Sequence, residues 1–427
     1  MPTRREALGA LAAPLLGGMP SARATPALRA LFATPGAPQA IARDEDFWRE
    51  VQRAFPCDRT LSNLNNGGVS PSPAVALDAQ RRHLAASNEA PAWSMWRVLE
   101  PRKEIVRERL AREWGVDPES VALVRNASEG LQICQFGFDL EPGDEVLTST
   151  QDYPRMRNTF RQRERREGVV LREVRLPGPE AEDALVVEAF RAALSERTRL
   201  MLVCHVINLN GRVLPVRELC ALGREHGVPV VVDGAHAFAH LPFRLDELGC
   251  DYYATSLHKW LAAPHGTGLL YVARERIPGL WPLMAAEEEQ DADIRKFEEI
   301  GTHPAAQTLA IAEALDFHLG LGHERKYARL VHLRDRWARR LAANPRTRLH
   351  TSLEPGRAGA IALVEFEGLD TTALRQWLWR EHRILLTQIT HDELNGLRVS
   401  PSVYTSVEEI DRFAERIEHA LAHGIPG

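Results

Sequence analysis

The feature that most constrains this chain is a repeated alternation of short apolar runs with longer amphipathic stretches, between about residues 70 and 275. The runs are rich in β-branched side chains, whereas the amphipathic stretches have the apolar spacing of helices. The predicted strands are 120–124, 145–148, 169–174, 199–203 and 228–232. The predicted helices beside them are 101–113, 184–194 and 216–226. Such alternation is typical of parallel strands joined by helices, so we predict an α/β fold with a mostly parallel sheet.

The chain has 427 residues, enough for one large and one smaller domain. We expect the large domain at 46–305, with residues 46–65 packing on the smaller domain, and a smaller α+β domain at 306–427. Residues 25–45, rich in Ala, Pro and Thr, are predicted to be a linker.

Composition excludes some classes of partner. The formal net charge is -5 and no basic tract occurs, so we expect no nucleic-acid partner. No apolar run reaches the length of about 18 residues that a membrane span needs, so we expect none.

The N-terminus departs from this pattern. The pair Arg4-Arg5 precedes a short apolar run at 7–16 and an Ala-Arg-Ala sequence at 22–24. A charged start, a short apolar stretch and an A-x-A-like cleavage site are typical of a secretory signal, and the paired arginine resembles a twin-arginine signal. We therefore expect residues 1–24 to direct export to the periplasm. The alternative is a cytoplasmic leader that happens to begin with two arginines.

The cysteines and histidines do not indicate a metal centre. No CxxC pair occurs among the five scattered cysteines, which are Cys57, Cys134, Cys204, Cys220 and Cys250. Neither a zinc site nor a disulfide framework is therefore expected. His236 and His240 have the i, i+4 spacing of a metal pair, but no third ligand accompanies them, so we predict no metal.

Lys259 and Asp233 are the residues with the most suggestive surroundings. Lys259 lies between two apolar runs among small and hydroxyl side chains, where desolvation would lower the pKa of its amine and favour imine formation. A solvated surface position is the alternative. Asp233 ends the run at 228–232, where open α/β sheets bind ligands. It could pair with a protonated pyridine nitrogen or simply cap a helix.

The motifs DGAHA at 233–237 and SLHKWLAAPHGTGLLYV at 256–272 resemble the class V aminotransferase family of fold-type I pyridoxal-phosphate enzymes. The likeness extends from about residue 63 to about residue 413 and is strongest for the isopenicillin N epimerase-like branch. It implies a large domain with a mostly parallel sheet of the seven-stranded type and a smaller α+β domain. It also implies pyridoxal 5′-phosphate as the cofactor, held by Lys259 as an internal aldimine, with Asp233 beside the ring nitrogen.

The resemblance assigns the cofactor phosphate to a helix start. Ala127 and Ser128 open a predicted helix whose N-terminal amides would bind an anion, and Ser256 and His258 resemble further phosphate contacts. An ordinary capping role for Asn126 or Ser128 is the alternative.

Other residues resemble contacts to the cofactor ring. Tyr153 matches the aromatic residue that stacks on the pyridine, with a core or surface tyrosine as the alternative. The resemblance places His236 near the phenolic oxygen or near Asp233. The stretch at 204–211 departs from the family pattern at two positions, so only His205 and Asn208 are carried over from it.

On the substrate side, Arg398 resembles the family's carboxylate-binding arginine, since a guanidinium can bind a carboxylate with two parallel hydrogen bonds. A surface ion pair is the alternative. Asn66 and Gly67 match a loop at the mouth of the site. Thr302 matches an element that reaches the phosphate of a neighbouring subunit, which implies a homodimer with shared active sites.

The family chemistry implies a small amino-acid substrate and Lys259 as acid and base at its α-carbon. An aminotransferase or an isopenicillin N epimerase-like epimerase is our first expectation, and a β-eliminating C–S lyase is the alternative. A non-catalytic pyridoxal-phosphate-binding protein is a weaker one. A cysteine desulfurase is disfavoured, because its loop cysteine lies well after the lysine and no cysteine follows Cys250 here.

Overall fold

The computed structural model describes residues 26–425. The predicted export signal at 1–24 lies outside this range and stays a prediction. Within the range, no helix combines the length and the apolar character that crossing a membrane requires.

The strands of the described chain fall into three sheets. They are β1 (Ser62–Asn63), β2 (Val121–Val124), β3 (Glu145–Ser149), β4 (Val170–Val174), β5 (Thr198–Cys204), β6 (Val230–Asp233), β7 (Tyr252–Ser256), β8 (Gly268–Val272), β9 (Thr347–Leu349), β10 (Ala362–Phe366), β11 (Ile384–Leu385), β12 (Thr387–Thr390) and β13 (Asn395–Val399).

The helices cover both faces of the largest sheet and one side of the C-terminal region. Over residues 26–425 they are α1 (Pro26–Phe32), α2 (Pro38–Ile41), α3 (Glu45–Arg53), α4 (Ala74–Glu89), α5 (Pro91–Trp93), α6 (Lys103–Trp114), α7 (Ala127–Gly137), α8 (Pro154–Glu167), α9 (Asp183–Ala193), α10 (Val216–Glu225), α11 (Ala306–Leu309), α12 (Ile311–Leu321), α13 (His323–Ala342), α14 (Thr371–His382) and α15 (Val407–His423). A π-helical turn, Ser94–Leu99, follows α5.

The predicted α/β fold is confirmed. In the described chain the largest sheet has seven strands in the order β2-β8-β7-β6-β5-β3-β4. Strand β8 runs antiparallel to both of its neighbours, and the other pairs are parallel. All residues of β6 and β7 are buried, because helices cover both faces, which is why β6 is an apolar run up to its final residue.

The register of the parallel strands brings the ends of several of them to one edge. Cys204 at the end of β5 pairs with Asp233 at the end of β6, and Asp233 pairs with Ala254 of β7. Side chains that follow these strands therefore converge at the carboxyl edge of the sheet, where ligands bind in open α/β folds.

The smaller domain is built on an antiparallel sheet, with the order β12-β13-β10-β9 among the described residues. Its core contains Trp337 of α13, Leu397 of β13, Phe413 of α15 and, from far earlier in the chain, Leu64. Strand β1 pairs in parallel with β11, Ser62 opposite Ile384. The chain around residue 63 thus packs on the smaller domain.

Two predicted boundaries differ from the structure. The stretch at 25–45, predicted to be a linker, contains α1 and α2, and its Leu28 and Ile41 are buried in the core of the large domain. The apolar side chains at 28, 31 and 32 have helical spacing, which the Ala and Pro content obscured. Residues 306–321, predicted to open the smaller domain, form α11 and α12 and also pack in the large core.

Replacing Leu64 tests the packing of this early segment. Leu64→Ala removes a fully buried side chain and should cost about 2–5 kcal/mol of unfolding free energy, because the cavity cannot close completely. An earlier urea transition measured by circular dichroism would report it. Leu185→Ala, at a side chain 56% exposed, should shift the transition little. Equal shifts for both variants would contradict the assignment.

Candidate active site

Lys259 lies in the turn between β7 and β8, at the carboxyl edge of the large sheet. Its Nζ is 3.3 Å from Nε2 of His236. Burial lowers the pKa of Lys259 to about 8, and the neighbouring charge of Asp233 opposes that shift while Arg398 adds to it. The neutral, nucleophilic fraction of this amine near physiological pH is therefore a minority, but far larger than that of an ordinary lysine.

Asp233 ends β6 and is buried. Burial raises its pKa to about 6, against the opposing effects of the Lys259 charge and of the N–H of Ala235, which donates to Oδ1 at 2.9 Å. The carboxylate is mostly ionised at neutral pH but poorly hydrated. It can therefore pair strongly with a cationic ring nitrogen, while its bond to Ala235 also closes the turn, as a capping aspartate would.

His236 is a buried, neutral imidazole. Burial and the nearby charge of Lys259 hold the pKa of His236 well below its usual range. The indole N–H of Trp260 donates to Nδ1 at 3.5 Å, a long bond that orients the ring. Gly67 lies against it, since a Cβ there would be 3.6 Å from Cε1 of His236. The histidine and the loop at the mouth are therefore adjacent.

His240, the other member of the predicted histidine pair, has a structural role. Its Nδ1 lies 2.6 Å from the carbonyl of His236, and its Nε2 accepts the N–H of Ala360 at 2.7 Å. The ring also stacks on Trp260. Over residues 26–425, no group of three or more metal-ligating side chains is assembled.

The predicted phosphate residues come together at the start of α7. The Ala127 N–H donates to Oγ of Ser256 at 2.9 Å, which joins the helix start to the end of β7. Asn126 caps the helix through a bond from the N–H of Glu129, so its side chain plays the capping role. Ser128 is half-buried beside them. Nδ1 of His258 lies 3.1 Å from the Thr267 carbonyl, which anchors the ring.

Glycine is needed where β8 passes this helix start. A Cβ on Gly268 would lie 2.6 Å from Cα of Asn126, closer than real contacts permit. Strand β8 therefore passes close to the N-cap residue Asn126 at a position where no side chain fits. This close packing explains why glycine occupies the end of the Gly266–Gly268 stretch.

The predicted ring contacts have different surroundings. Tyr153 precedes α8 and is half-buried. The His205 ring packs edge-on against Phe243 at 4.8 Å, and its Nδ1 lies 3.4 Å from the hydroxyl of Tyr253. Burial lowers the pKa of His205 to about 4, so the ring is neutral. Its side chain has partners within the protein, and a cofactor contact through it stays a prediction.

Arg398 and Asn208 form the other wall of the site. Arg398 donates from Nη1 to the Asn208 carbonyl at 2.8 Å and from Nη2 to Oδ1 of Asn65 at 3.0 Å. Burial lowers the pKa of Arg398 to about 10. Among the described residues, neither Nε of Arg398 nor Oδ1 of Asn208 has a hydrogen-bond partner. Two buried polar atoms are thus available to a ligand, since such atoms are rarely left unpaired.

Asn66, predicted to contact the substrate, is occupied elsewhere. Its Oδ1 accepts the hydroxyl of Tyr404 at 2.6 Å, and its Nδ2 donates to the carbonyls of Asn63 and Ser400. The adjacent Asn65 is the residue that contacts Arg398. The predicted contact of Asn66 with the substrate stays a prediction, and the structure adds Asn65 as the asparagine beside Arg398.

Asp152 was not identified from the sequence. It is buried one residue before Tyr153, accepts the N–H of Ser149 at 3.0 Å, and contacts the thiol of Cys204. Its charge raises the pKa of Asp233, so it helps to set the state of that carboxyl.

Thr302 is exposed and lies away from these bonds. The segment is held by Nζ of Lys103, which lies 2.6 Å from Nε2 of His303. Its predicted contact with a neighbouring subunit stays a prediction.

Comparison with known proteins places this site in context. The model of the family described as Aminotransferase class-V matches residues 63–413. The isopenicillin N epimerase of Streptomyces clavuligerus is 34% identical over 397 residues, which cover 87% of this chain and 98% of that protein. A probable cysteine desulfurase of Synechocystis sp. is 27% identical and covers 84% of this chain and 91% of that one. A solved complex of the cystine C–S lyase C-DES with cysteine persulfide is 26% identical, with a TM-score of 0.77 and coverage of 87% and 100%.

The residues present fit pyridoxal phosphate. A nucleophilic amine, a buried carboxylate and the positive end of a helix can hold an aldehyde carbon, a ring nitrogen and a phosphate, respectively. The unpaired Oδ1 of Asn208 supplies a further polar atom at the same edge.

The titration of Lys259 can be measured directly. Because burial lowers its pKa to about 8, the neutral fraction grows as the pH rises through that value. Cofactor-free protein mixed with pyridoxal phosphate should form its visible absorbance band at a rate that levels off above about pH 8. An ordinary lysine, with a pKa near 10.4, would keep accelerating.

Two variants control this titration. Lys259→Ala should abolish the band, and the remaining lysines, Lys103, Lys296 and Lys326, are buried. Asp233→Asn should move the midpoint to lower pH, because the Asp233 charge raises the pKa of Lys259. A midpoint near pH 10, or a band that persists in Lys259→Ala, would refute the assignment.

Proposed function

Since this chain belongs to the class V aminotransferase family, whose cofactor is pyridoxal 5′-phosphate, we propose that it inverts the configuration of an α-amino acid at its α-carbon. The observation that carries the proposal is the amine of Lys259 at 3.3 Å from the neutral imidazole of His236. Inversion needs a proton removed from the carbon and another returned to its opposite face. Two adjacent proton carriers of lowered pKa suit that exchange.

The other side chains bind and orient. Arg398 offers a guanidinium to the α-carboxylate of the substrate, and Asn65 and the Asn208 carbonyl fix its plane. Asp233 supplies the negative charge that keeps a pyridine nitrogen protonated. The cofactor, when bound, withdraws electrons from the α-carbon and so acidifies its proton. Lys259 then takes that proton from one face of the carbon. Inversion requires a second group to return a proton to the opposite face, and His236, 3.3 Å from the amine, is our candidate for that donor.

The thiols argue against a desulfurase, although such an enzyme is among the relatives. That reaction uses a reactive cysteine, and a thiol reacts as its thiolate. Burial raises the pKa of each of the cysteines: Cys57, Cys134, Cys204, Cys220 and Cys250. None follows Lys259 in the sequence.

A β-eliminating C–S lyase is the second candidate. It requires no thiol of the protein, and the cystine C–S lyase has a similar fold over 87% of this chain at 26% identity. The same α-proton removal by Lys259 would start it, so a substrate with a leaving group on the β-carbon decides between the two.

Proton exchange in deuterated buffer separates these reactions. The cofactor-loaded protein, incubated with L- and D-amino acids, should place deuterium at the α-carbon and produce the opposite enantiomer without keto acid. Nuclear magnetic resonance and chiral chromatography would measure both. Keto acid with a pyridoxamine spectrum would identify an aminotransferase, and pyruvate with ammonia a lyase. Either result would overturn the epimerase proposal.

A variant ties the exchange to the lysine. Lys259→Arg keeps the positive charge but removes the titratable amine, and loss of a general base of this kind slows proton transfer by about 10²- to 10⁴-fold. Full exchange in this variant would exclude Lys259 from the role.

We also propose a homodimer, with Thr302 reaching the site of the second copy. Large side chains are exposed shortly before Lys103 in the sequence: Trp93 is 66% exposed and Trp96 55% exposed. They precede Lys103, which contacts His303 beside Thr302. An apolar patch beside a residue expected to cross to another subunit favours a second copy as its cover.

Sedimentation tests the assembly. The native protein should sediment at about twice the 47.8 kDa of one chain. Trp96→Glu should shift it toward the monomer, because a charge on a buried interface is costly. Leu185→Glu, at a comparably exposed side chain outside the patch, should leave the dimer intact. A monomeric native protein would contradict the proposal.

A further inference from the structure

Lys326 is a buried lysine that the proposed chemistry does not use. It belongs to α13, is 5% exposed, and lines a small cavity together with the apolar side chains of Leu261, Phe317, Leu321 and Leu330. Burial lowers the pKa of Lys326 to about 7, and no acidic side chain of the described residues contributes to that shift. Burying an amine without an ion pair is costly, so its hydrogen-bond partners need a reason.

The amine of Lys326 donates to the backbone carbonyl of Trp260, the residue that follows Lys259. The indole N–H of Trp260 donates to Nδ1 of His236 at 3.5 Å, and its ring stacks on that of His240 with 3.8 Å between centroids. Trp260 is therefore held at its carbonyl by α13 and at its ring by the segment that carries His236. A shift of Trp260 would move both its neighbour Lys259 and its hydrogen-bond partner His236.

The turn around Trp260 contains a strained residue. Ala262 has a φ of 56°, in the left-handed region that alanine seldom adopts, and its N–H donates to the Lys259 carbonyl at 3.3 Å. A residue other than glycine stays in that region only where surrounding contacts hold it, and such residues concentrate at active sites. The bond from Lys326 reaches the same turn and is one of those contacts.

A row of side chains orients the amine from its other side. Nζ of Lys326 lies 3.3 Å from Nδ1 of His318, and Nε2 of His318 lies 3.4 Å from Nδ1 of His323. Nε2 of His323 lies 2.7 Å from Oε1 of Glu113. Burial and the charge of Lys326 hold the pKa of His318 well below its usual range, so that ring is neutral. With both rings protonated on Nε2, every donor in the row meets an acceptor.

We propose that Lys326 is a positioning residue of the active site. Oriented by His318, it holds the Trp260 carbonyl and so fixes the turn that carries Lys259. The result is a constant spacing between the amine of Lys259 and the imidazole of His236, whose nitrogens lie 3.3 Å apart. The amine has N–H groups in both of its protonation states, so it donates in either one. This inference rests on the proposed function, because it takes Lys259 and His236 as the proton carriers.

Two variants of similar length isolate the hydrogen bond. Lys326→Met and Lys326→Gln both remove the charge, and only glutamine keeps an N–H donor. The circular dichroism of the bound cofactor's visible band measures how the cofactor is oriented at Lys259. Lys326→Met should weaken that signal and lower kcat for α-deuterium exchange about 10- to 100-fold, as a misplacement of about 1 Å does. Lys326→Gln should retain more of both. KM should change little, because Arg398 lies on β13 of the smaller domain.

Lys296→Met is the matched control. Lys296 is 3% exposed, and its amine donates to the backbone carbonyl of Asp291 at 2.8 Å, within its own segment. Losing either lysine should lower the unfolding free energy measured in urea. Lys296→Met should nevertheless leave the cofactor signal and kcat native. His318→Phe keeps Lys326 but removes the acceptor that orients it, and should weaken the signal by a smaller amount.

Three results would overturn the positioning role. They are a native signal and kcat in Lys326→Met, an equal loss in Lys326→Gln, and the same loss in Lys296→Met. The second would make packing or charge the cause, and the third a general loss of stability. If Lys326→Met does not fold, an unchanged signal in His318→Phe overturns the role instead.

The proposed function is judged separately. A weakened signal in Lys326→Met, without exchange of any amino acid by the native protein, would support the positioning role and overturn the epimerase. Exchange that Lys259→Arg abolishes but Lys326→Met leaves at the native rate would overturn the positioning role and leave the proposed function intact.

Discussion

The site depends on holding two opposite charges out of water at the carboxyl edge of the large sheet. Burial shifts the pKa of Lys259 downward and that of Asp233 upward, while each charge opposes the shift of the other. An isolated buried amine would stay neutral, and an isolated buried carboxyl would stay protonated. The charge of Lys259 favours the ionised carboxylate of Asp233, while burial still leaves part of the amine neutral and nucleophilic in the same pH range.

That balance needs a rigid support, and the strand register provides it. Cys204, Asp233 and Ala254 stand in line across β5, β6 and β7, so the side chains that follow these strands cannot move independently. Ser256 then joins the same edge to the start of α7. The phosphate end and the lysine end of the predicted cofactor site are thus fixed by one sheet rather than by separate loops.

The sequence predicted the elements with strong local signals. The buried strands are continuous apolar runs, and Lys259, Asp233, Ala127 and Ser256 follow them at positions the family motifs define. It did not report contacts whose partner is remote in the chain. Asn65 rather than Asn66 contacts Arg398, which depends on a strand more than three hundred residues away.

Boundary errors have the same origin. Residues 25–45 lack a strong periodicity, yet Phe32 packs edge-on against Phe317 at 5.5 Å, a contact that no local pattern reports. Asp152 was missed because an acid in a polar turn is common in sequences. Its interactions with Cys204 and Asp233, which lie far along the chain, are evident only in the structure.

Backbone hydrogen bonds join the loop at the mouth of the site to the smaller domain, and they restrict how the entrance can open. Ser400 donates its N–H to the Leu64 carbonyl at 2.7 Å and accepts the N–H of Asn66 through its own carbonyl at 3.0 Å, two residues beyond Arg398. The loop around Asn65 and the strand that carries Arg398 are therefore expected to move together as one rigid unit. The loop cannot open as an independent flap, so any widening of the entrance must carry the Arg398 guanidinium with it. With Arg398 in its proposed role, admission of a ligand and release of its carboxylate then become a single movement.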